Sequence, residues 1–565
     1  MAARDPVSVA LVEPLRVLIV DDRDVDRLVV KRAFEETGLN IVFGLAESYE
    51  DAIFALFNDY FDVVVIDLVL HDGPPGPMEE WEGFDIISEI FERGFQRDMA
   101  VFINTAFADM KGVARHAISK FHPADIWDKS FSIAQIRQSI VQALERVRYF
   151  GLTIDVKLED GLDWQILVTK LRLHLHALSS YLDMDPAVVE LQHILRRLFA
   201  EDSASAISIS SIQIAEMDRG ASQSAVLRVT PHDGAKQCAD VVVKYGPLEN
   251  IRREYSGWNS VFQFVSGRKL TNVRRVTLGR HLAALEYTLV GAIVTDIVSF
   301  SKFYALSSVK DLAKVFDQLF LETCALWYKN MVVVETIDYQ KEFEDYIGLN
   351  RGALERQYDV KYADKPLTER YIEFANLPRK MVNPVALYSA GEVPPGGRAG
   401  ICLTHGDLHG ENIRVTLNSG DSWLIDFGRS GNGHWARDFV ELETAMKFQL
   451  MQSADLPSLF EFEDILASAD SLTAILPFNH DDRPDLQKAF RAIIHLRSLA
   501  SKVSPKLTSE EAFSSYLMAL FFQTINYIRL SRLIKGGQRK NHVLVSAALI
   551  LERLLALEER AKRVP

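Results

Sequence analysis

His405-Gly406-Asp407-Leu408-His409-Gly410-Glu411-Asn412, followed by Leu424-Ile425-Asp426-Phe427-Gly428, is the stretch on which the reading of this chain turns. It sets an Asp, an Asn five residues later and a second Asp fourteen beyond that between apolar, strand-like runs. Moving a phosphoryl group from a nucleotide calls for those three groups. One carboxylate orients an attacking hydroxyl and accepts its proton, while an amide and a second carboxylate hold Mg²⁺ on the phosphates. The competing reading is a surface turn between two strands.

Such chemistry also needs a strand lysine for the α/β-phosphates and an acid on a nearby helix to position it. Lys244 ends the apolar run Val241-Val242-Val243-Lys244, and Glu254 lies ten residues on in a helix-like segment. Upstream, Asp218-Arg219-Gly220-Ala221-Ser222-Gln223-Ser224 joins two strand-like runs. It reads either as backbone N–H groups covering phosphates or as an ordinary hairpin turn. Leu285-Glu286-Tyr287-Thr288-Leu289-Val290-Gly291 reads equally as an adenine-accepting strand and hinge or as plain core strand.

At 565 residues the chain exceeds one hydrophobic core, so roughly two to four domains are expected. Nearly half the residues are apolar and a quarter charged, an ordinary globular composition. The net charge of −14, from 63 Lys+Arg against 77 Asp+Glu, argues against nucleic-acid binding. Cys238, Cys324 and Cys402 are far apart and lack metal spacing, which fits a reducing compartment. Glu13, Pro14 and Arg16 interrupt the first apolar run, a poor signal peptide, and no run long enough to span a membrane occurs. The expectation is a cytoplasmic protein.

The first part of the chain alternates short apolar runs with amphipathic segments. Residues 17–20, 41–45, 63–66, 100–104 and 125–127 read as strands, and 24–36, 49–59, 83–93 and 133–149 as helices. That alternation means βαβ units around a buried parallel sheet, with functional groups at the carboxyl ends of the strands. Asp21 and Asp22 follow the first strand, Asp67 the third; Thr105 ends the fourth and Lys129 the fifth. Three carboxylates make a hard-oxygen Mg²⁺ site, with Lys129 and Thr105 beside them for phosphoryl oxygens and Asp67 as nucleophile. Capping of strands and helix starts is the bland alternative for each acid.

Residues 15–148 resemble the receiver domain of two-component response regulators, through the acidic pair, the acceptor Asp, the Thr and the Lys in the family's order. The resemblance implies a flavodoxin-like (βα)5 fold. It also implies that Asp21, Asp22 and Asp67 bind Mg²⁺, that Asp67 is phosphorylated, and that Thr105 and Lys129 act as the switch. A sensor histidine kinase or another phosphodonor is the implied partner, and a receiver-mediated homodimer is compatible with it. Three departures stand out: the long loop 71–83, Ser130 where the family has Pro, and Ile126 where a switch Tyr or Phe is common.

Residues 150–200 read as helix, with apolar positions three and four apart over 164–178 and 187–199. Loop composition at 201–207 marks a boundary. Ala225-Val226-Leu227-Arg228-Val229 and Ala239-Asp240-Val241-Val242-Val243-Lys244 alternate as in an antiparallel sheet, and helix dominates beyond 300. The expected division is therefore 1–148, a helical connector over 149–206, and a domain over 207–565. That domain has a small lobe to about residue 295 and a helical lobe beyond it.

The opening motif, with Gly433-His434-Trp435-Ala436-Arg437-Asp438, resembles the aminoglycoside phosphotransferase and choline-kinase-like branch of the two-lobed protein-kinase-like fold. The resemblance implies Asp407 as catalytic base and Asn412 and Asp426 as Mg²⁺ ligands. His405 and Asp438 become supports, Lys244 and Glu254 the ATP-holding pair, and His409 reads as a packing histidine. Helix-borne solvated charge is the preferred reading of the basic cluster Arg529, Arg532, Lys535, Arg539 and Lys540. The expectation overall is an α/β plus α+β protein: a response regulator whose output transfers phosphoryl from ATP to a small-molecule hydroxyl under control of Asp67. A catalytically silent kinase-like binding module and a protein kinase acting on a partner stand as the alternatives.

Overall fold

A computed structural model describes residues 14–59, 61–71, 81–92, 99–108, 113, 117–118, 121, 123–144, 154–172, 184–200, 209–217, 224–265, 271–279, 281–289, 296–452, 454–478, 483–530 and 537–563. The chain divides into two compact units, one formed by Met1–Arg252 with Val273–Thr288 and the other by Arg253–Asn272 with Leu289–Pro565. Among the described residues no helix is long and apolar enough to cross a membrane.

The first unit opens with β1 (Leu15–Val20), α1 (Asp24–Glu35), β2 (Ile41–Ala46), α2 (Tyr49–Asn58), β3 (Val63–Ile66), α3 (Glu82–Glu92), β4 (Ala100–Thr105), β5 (Asp125–Asp128) and α4 (Ile133–Leu144). The five strands form a sheet in the order β2-β1-β3-β4-β5. Every pairing is parallel, Leu18 lying opposite both Gly44 and Val64. The near-continuous apolar runs follow from burial on both faces. Val17, Ile19, Val63 and Val65 pack in one core with Val30 and Phe34 of α1 and Ile136 and Ile140 of α4. Leu18, Val20, Val64 and Ile66, one residue out of step, pack in another with Leu56 of α2 and Ile86, Ile87 and Ile90 of α3. The strand order reverses between β1 and β3, where a doubly wound sheet opens a crevice at its carboxyl edge.

The same unit carries a second sheet. β6 (Asp155–Leu158) pairs parallel with β7 (Ser211–Glu216); β8 (Ala225–Asp233), the short β9 (Lys236–Gln237), β10 (Val241–Pro247), β11 (Thr271–Leu278) and β12 (Leu282–Leu289) complete it in the order β11-β12-β10-β8-β7-β6. The antiparallel pairings of β8 and β10 fit the expected alternation. Residues 150–200 are not wholly helical. Asp155-Val156-Lys157-Leu158 alternates polar and apolar and joins the sheet edge, ahead of α5 (Trp164–Arg172) and α6 (Met184–Phe199). Both helices bury their apolar stripes on Val241, Val243 and Tyr245 of β10. By strand alternation Lys244 takes the opposite face.

Helix α7 (Leu248–Val261) passes into the second unit. There β13 (Ile297–Ser299) leads into α8 (Phe300–Leu306), α9 (Val309–Asp317) and α10 (Ala325–Lys329), and β14 (Val332–Val334) into α11 (Tyr339–Ile347) and α12 (Arg351–Lys361). Strands β15 (Tyr371–Ile372) and β16 (Met381–Val382) form a two-stranded sheet before α13 (Pro384–Ala390). β17 (Ala399–Thr404), β18 (Ile413–Thr416), β19 (Ser422–Leu424) and β20 (Gly431–His434) make two small sheets, β13-β18-β19 and β14-β17-β20. The remainder is helical: α14 (Arg437–Ala445), α15 (Leu456–Ala467), α16 (Pro484–Val503), α17 (Ser509–Arg529) and α18 (Gly537–Arg563). Thr508 and Glu511 start α17 with a capping box.

Helix α14 is buried along its whole length, although it carries several charges. Arg497 of α16 grips Glu443 with two bonds, 2.9 and 2.7 Å, and Tyr516 Oη donates to the same carboxylate at 2.7 Å. Lys447 bridges Glu443 at 3.1 Å and Glu463 at 2.9 Å, and His542 Nε2 lies 2.8 Å from Glu463. Burial alone would raise both carboxyls, but Arg497 and Lys447 at Glu443, and Lys447 and His542 at Glu463, hold each down at about 2.

Depressed folded-state values mean that this stabilisation is complete above the unfolded carboxyl range and is lost as pH falls toward about 2. Acid titration followed by far-UV circular dichroism should therefore show loss of helix between about pH 4.5 and 2. Glu443→Gln should cost about 3–5 kcal/mol in urea unfolding, because it strands buried cations.

Candidate functional site

Two groups of polar side chains gather at chain-reversal edges, one in each unit. In the first, strand ends do the positioning. The N–H of Asp67 donates to Val20 O at 2.9 Å, and that of Lys129 to Thr105 O at 3.2 Å, so the ladder carries these residues to one edge. The carboxylate oxygens of Asp21, Asp22 and Asp67 lie within 4.8 Å of one another. Lys129 Nζ reaches Asp21 and Asp67 at 2.8 Å each. It also reaches Asp26 of α1 at 3.0 Å, a carboxylate absent from the expected set. Thr105 is fully buried at the end of β4 and accepts the Phe107 N–H at 3.4 Å.

Burial pushes the Asp67 carboxyl up to about 6; Lys129 opposes the rise and Asp21 adds to it. Lys129 stays charged despite its own burial because Asp67 and Asp21 face it. The start of α3 comes so close to β3 that a Cβ on Gly83 would overlap the Asp67 carbonyl. Most of the long loop between them, residues 72–80, lies outside the described residues.

In the second unit, β17 ends at Thr404 and the chain turns through His405-Gly406-Asp407. One buried carboxylate shapes the turn. Asp438, on the first turn of α14, accepts the His405 N–H at 2.8 Å on one oxygen and the Gly406 N–H at 2.9 Å on the other. Gly406 has φ +77°, and a Cβ there would overlap the Arg429 carbonyl, so glycine is required. His405 Nε2 lies 3.0 Å from the Ile425 carbonyl. A carbonyl only accepts, so Nε2 carries the proton. Burial keeps that ring neutral against the pull of Asp438, Asp407 and Asp426.

Asn412 closes the loop. Its Nδ2 donates to the Asp407 carbonyl at 2.8 Å and to the Asp407 carboxylate at 3.3 Å. Its own carbonyl accepts the Ile425 N–H at 3.0 Å, so Asn412, just before β18, stands opposite the residue that precedes Asp426. Asp426 has φ +67°, the one positive φ at a non-glycine among the described residues. That conformation costs an L-residue about 1–2 kcal/mol, and such strain concentrates at functional sites. Behind it, α7 approaches so closely that a Cβ on Gly257 would overlap the Phe427 carbonyl.

Further groups surround Asp407. Arg429 Nη1 stands 3.6 Å from its carboxylate, and His409 Nε2 stands 3.8 Å away while Nδ1 accepts the Glu411 N–H. Glu441 of α14, bonded by Gln523, is pushed up to about 8 by burial and by the nearby Asp407 charge. Arg429 and Glu441 were missed in the sequence; only the position of Arg429 just past Asp426-Phe427-Gly428 could have flagged it. Lys244 and Glu254 are both buried, on β10 and α7, and fall in different compact units. Residues 218–223 and 290–291, expected to cover phosphates and adenine, lie outside the described residues.

The basic cluster differs from the solvated face expected. Arg529 donates to the Ile347 and Gly348 carbonyls that end α11, and Arg539 to the Met451 carbonyl at 3.1 Å. These two arginines satisfy helix-end and loop carbonyls; Arg532 and Lys535 lie outside the described residues.

A family model described as "Ternary complex associated domain 9" matches residues 378–528, just over a quarter of the chain and the part that holds the Asp407 loop. No curated protein matches the chain. Among solved structures, the N-terminal region is similar to a CheY-like receiver domain protein from Methanospirillum hungatei, at 17% identity over 24% of this chain and 96% of that one, TM-score 0.20. It is also similar to the response regulator TrrA from Thermotoga maritima in complex with Mg(2+)-BeF, at 24% identity over 23% and 99%, TM-score 0.19. The PhyR receiver domain from Erythrobacter litoralis matches at 23% identity over 23% and 91%, TM-score 0.19.

Asp67 is a carboxylate only above its raised value of about 6. Mg²⁺ affinity, followed by isothermal titration calorimetry, should thus fall roughly tenfold per pH unit below that point and stay flat from pH 7 to 8. Replacing Asp438 by Asn would set an amide N–H₂ against a loop N–H; Asp438→Asn should lower unfolding stability by about 1–3 kcal/mol, read by chemical denaturation.

Proposed function

We propose that this chain is a response regulator whose output is phosphoryl transfer from ATP to a hydroxyl of a small molecule. The observation that carries the output reading is the frame around Asp407. A buried carboxylate holds the loop backbone, the Asn412 amide holds Asp407, and Asn412 is bonded through its backbone to Ile425, the residue before strained Asp426. A loop held this firmly is pre-organised, which is how positioning lowers the barrier of phosphoryl transfer.

In this reading Asp407 orients the acceptor hydroxyl and takes its proton as the new O–P bond forms. The bond between the γ-phosphorus and the β,γ-bridging oxygen breaks, and ADP leaves with that electron pair. Asn412 and Asp426 offer the hard oxygens that Mg²⁺ prefers, and the ion when bound would neutralise phosphate oxygens. Lys244 and Glu254 are the residues proposed to hold the nucleotide. Glu441, raised by burial, and Arg429 are the polar neighbours of Asp407 proposed to face the acceptor.

The input reading rests on the parallel β2-β1-β3-β4-β5 sheet and the cage of Asp21, Asp22, Asp67 and Lys129 at its carboxyl edge. The three carboxylates suit Mg²⁺ in number and in donor type. Asp67 would attack the phosphorus of a phosphodonor such as a sensor kinase, forming an acyl phosphate as the donor's bond to phosphorus breaks. Lys129, already on Asp67, would follow the transferred oxygens.

A second reading is favoured by the name of the matching family model, which speaks of association in a ternary complex. In it, residues 378–528 bind partners without turnover. The discriminating experiment is ATP consumption by the purified chain with a metabolite extract, before and after acetyl phosphate treatment. The catalytic reading expects turnover that falls at least about a hundredfold in Asp407→Asn and changes on treatment only when Asp67 is intact. Zero turnover under every condition, with nucleotide or partner binding retained, would establish the second reading instead.

A further inference from the structure

Helix α6 buries an unusual set of polar side chains, three of them charged and the fourth, His193, kept neutral by burial and by the neighbouring arginines. Glu190, His193, Arg196 and Arg197 are 3%, 2%, 4% and 8% exposed, among apolar neighbours such as Leu191, Ile194, Leu195 and Leu198. Buried charges persist only when they are held by partners, and the partners of these four lie on three different parts of the unit.

Towards the second sheet, Glu190 Oε1 accepts the backbone N–H groups of His281 at 2.7 Å and Leu282 at 3.0 Å. Leu282 begins β12 and His281 precedes it, and a Cβ on Gly279, just past β11, would clash with the same carboxylate. Further along, the Leu198 carbonyl accepts from Arg275 of β11 at 3.2 Å. At the middle of the unit, Arg196 Nε donates to the Ile154 carbonyl at 3.1 Å, where the chain enters β6.

Towards the first sheet, Arg197 Nη2 donates to Asp62 Oδ1 at 3.2 Å, and His193 Nδ1 lies 3.6 Å from the same oxygen. The other Asp62 oxygen accepts the Arg16 N–H at 2.8 Å. Asp62 also exchanges backbone bonds with both neighbouring strands, its N–H donating to Arg16 O at 2.9 Å and its carbonyl accepting from Ala100 at 2.8 Å. It is fully buried and immediately precedes β3. Asp67 immediately follows β3, so one short strand has the candidate phosphorylation site at one end and the α6 grip at the other.

We propose that α6 is a strut that carries the state of the Asp67 site, through β3 and Asp62, to the β11–β12 turn of the second sheet. Glu190, Arg196 and Arg197 each meet a specific partner in a tightly packed interior. Sliding the helix on either sheet would leave a charge buried and unmatched. The helix therefore moves with Asp62 and takes the turn with it, which is the discrete, bistable behaviour that packed interfaces show. The inference rests on the reading of Asp67 as the site that changes state, and the test separates the two.

The probe is beryllofluoride with Mg²⁺ on the full chain, with loading at Asp67 followed by fluorine NMR and the response by amide hydrogen exchange. In the wild type, loading should change exchange at His281 and Leu282 at least threefold. Glu190→Gln and Arg197→Gln should load equally and lose that change, whereas Arg197→Lys should keep most of it. A merely structural role would raise exchange in the variants without touching its dependence on beryllofluoride. Loading with no response at His281 and Leu282, or a response undiminished in both Gln variants, overturns the strut. Failure to load at all would count against the Asp67 reading instead. Should a Gln variant unfold, Asp62→Asn in the same assay gives the same discrimination.

Discussion

Two backbone N–H groups, those of His405 and Gly406, end on the single buried carboxylate of Asp438, and the geometry of the second unit's polar centre follows from that contact. An unpaired N–H at such depth would be costly, and so would an unpaired carboxylate; each satisfies the other. With the loop held there, Gly406 takes its left-handed conformation, His405 turns its ring to the Ile425 carbonyl, and Asn412 reaches back to Asp407. The positive φ at Asp426 falls just past β19, where α7 comes close to the following Phe427 carbonyl.

Asp438 rides on a helix that is buried end to end, and the rest of that helix shows what makes this possible. Glu443 is matched by Arg497, Lys447 and Tyr516, so the scaffold under the loop is an ionic network enclosed by apolar side chains. Helix α6 of the first unit is built on the same plan with different partners. Such networks contribute less net stability than apolar packing would, yet removing one partner from them is costly. In the second unit the network holds the helix from which Asp438 reaches the loop.

Much of the fold was legible because it depends on local periodicity. Val17, Ile19, Val63 and Val65 against Leu18, Val20, Val64 and Ile66 is an alternation that any two-faced parallel sheet requires, and the strand ends at Asp21, Asp67 and Lys129 follow from it. The 155–158 strand was not legible as such, because four alternating residues beside two helical patterns carry too little signal until a partner strand is known. The site was partly legible. Asp407, Asn412 and Asp426 stood out by their spacing, and Asp438 completes the loop that holds Asp407. Asp26 on Lys129, Arg429 beside Asp407, and Glu441 next to both were hidden, since a lone charge on a helix or turn reads as solvated.

By itself the sequence determined the strands and helices of the first sheet, which of their faces are apolar, and which acids, amide and lysine are candidates to hold metal and phosphate. Those properties are set by neighbours a few positions away. Only the tertiary structure decided which charges meet. Asp62 finds Arg197 across 135 residues, Lys129 finds Asp26 across 103, and Glu443 finds Arg497 across 54. Pairing of buried charge is a constraint of the enclosed volume, where the absence of water makes each partner obligatory. A linear pattern contains no record of which distant group will fill that place.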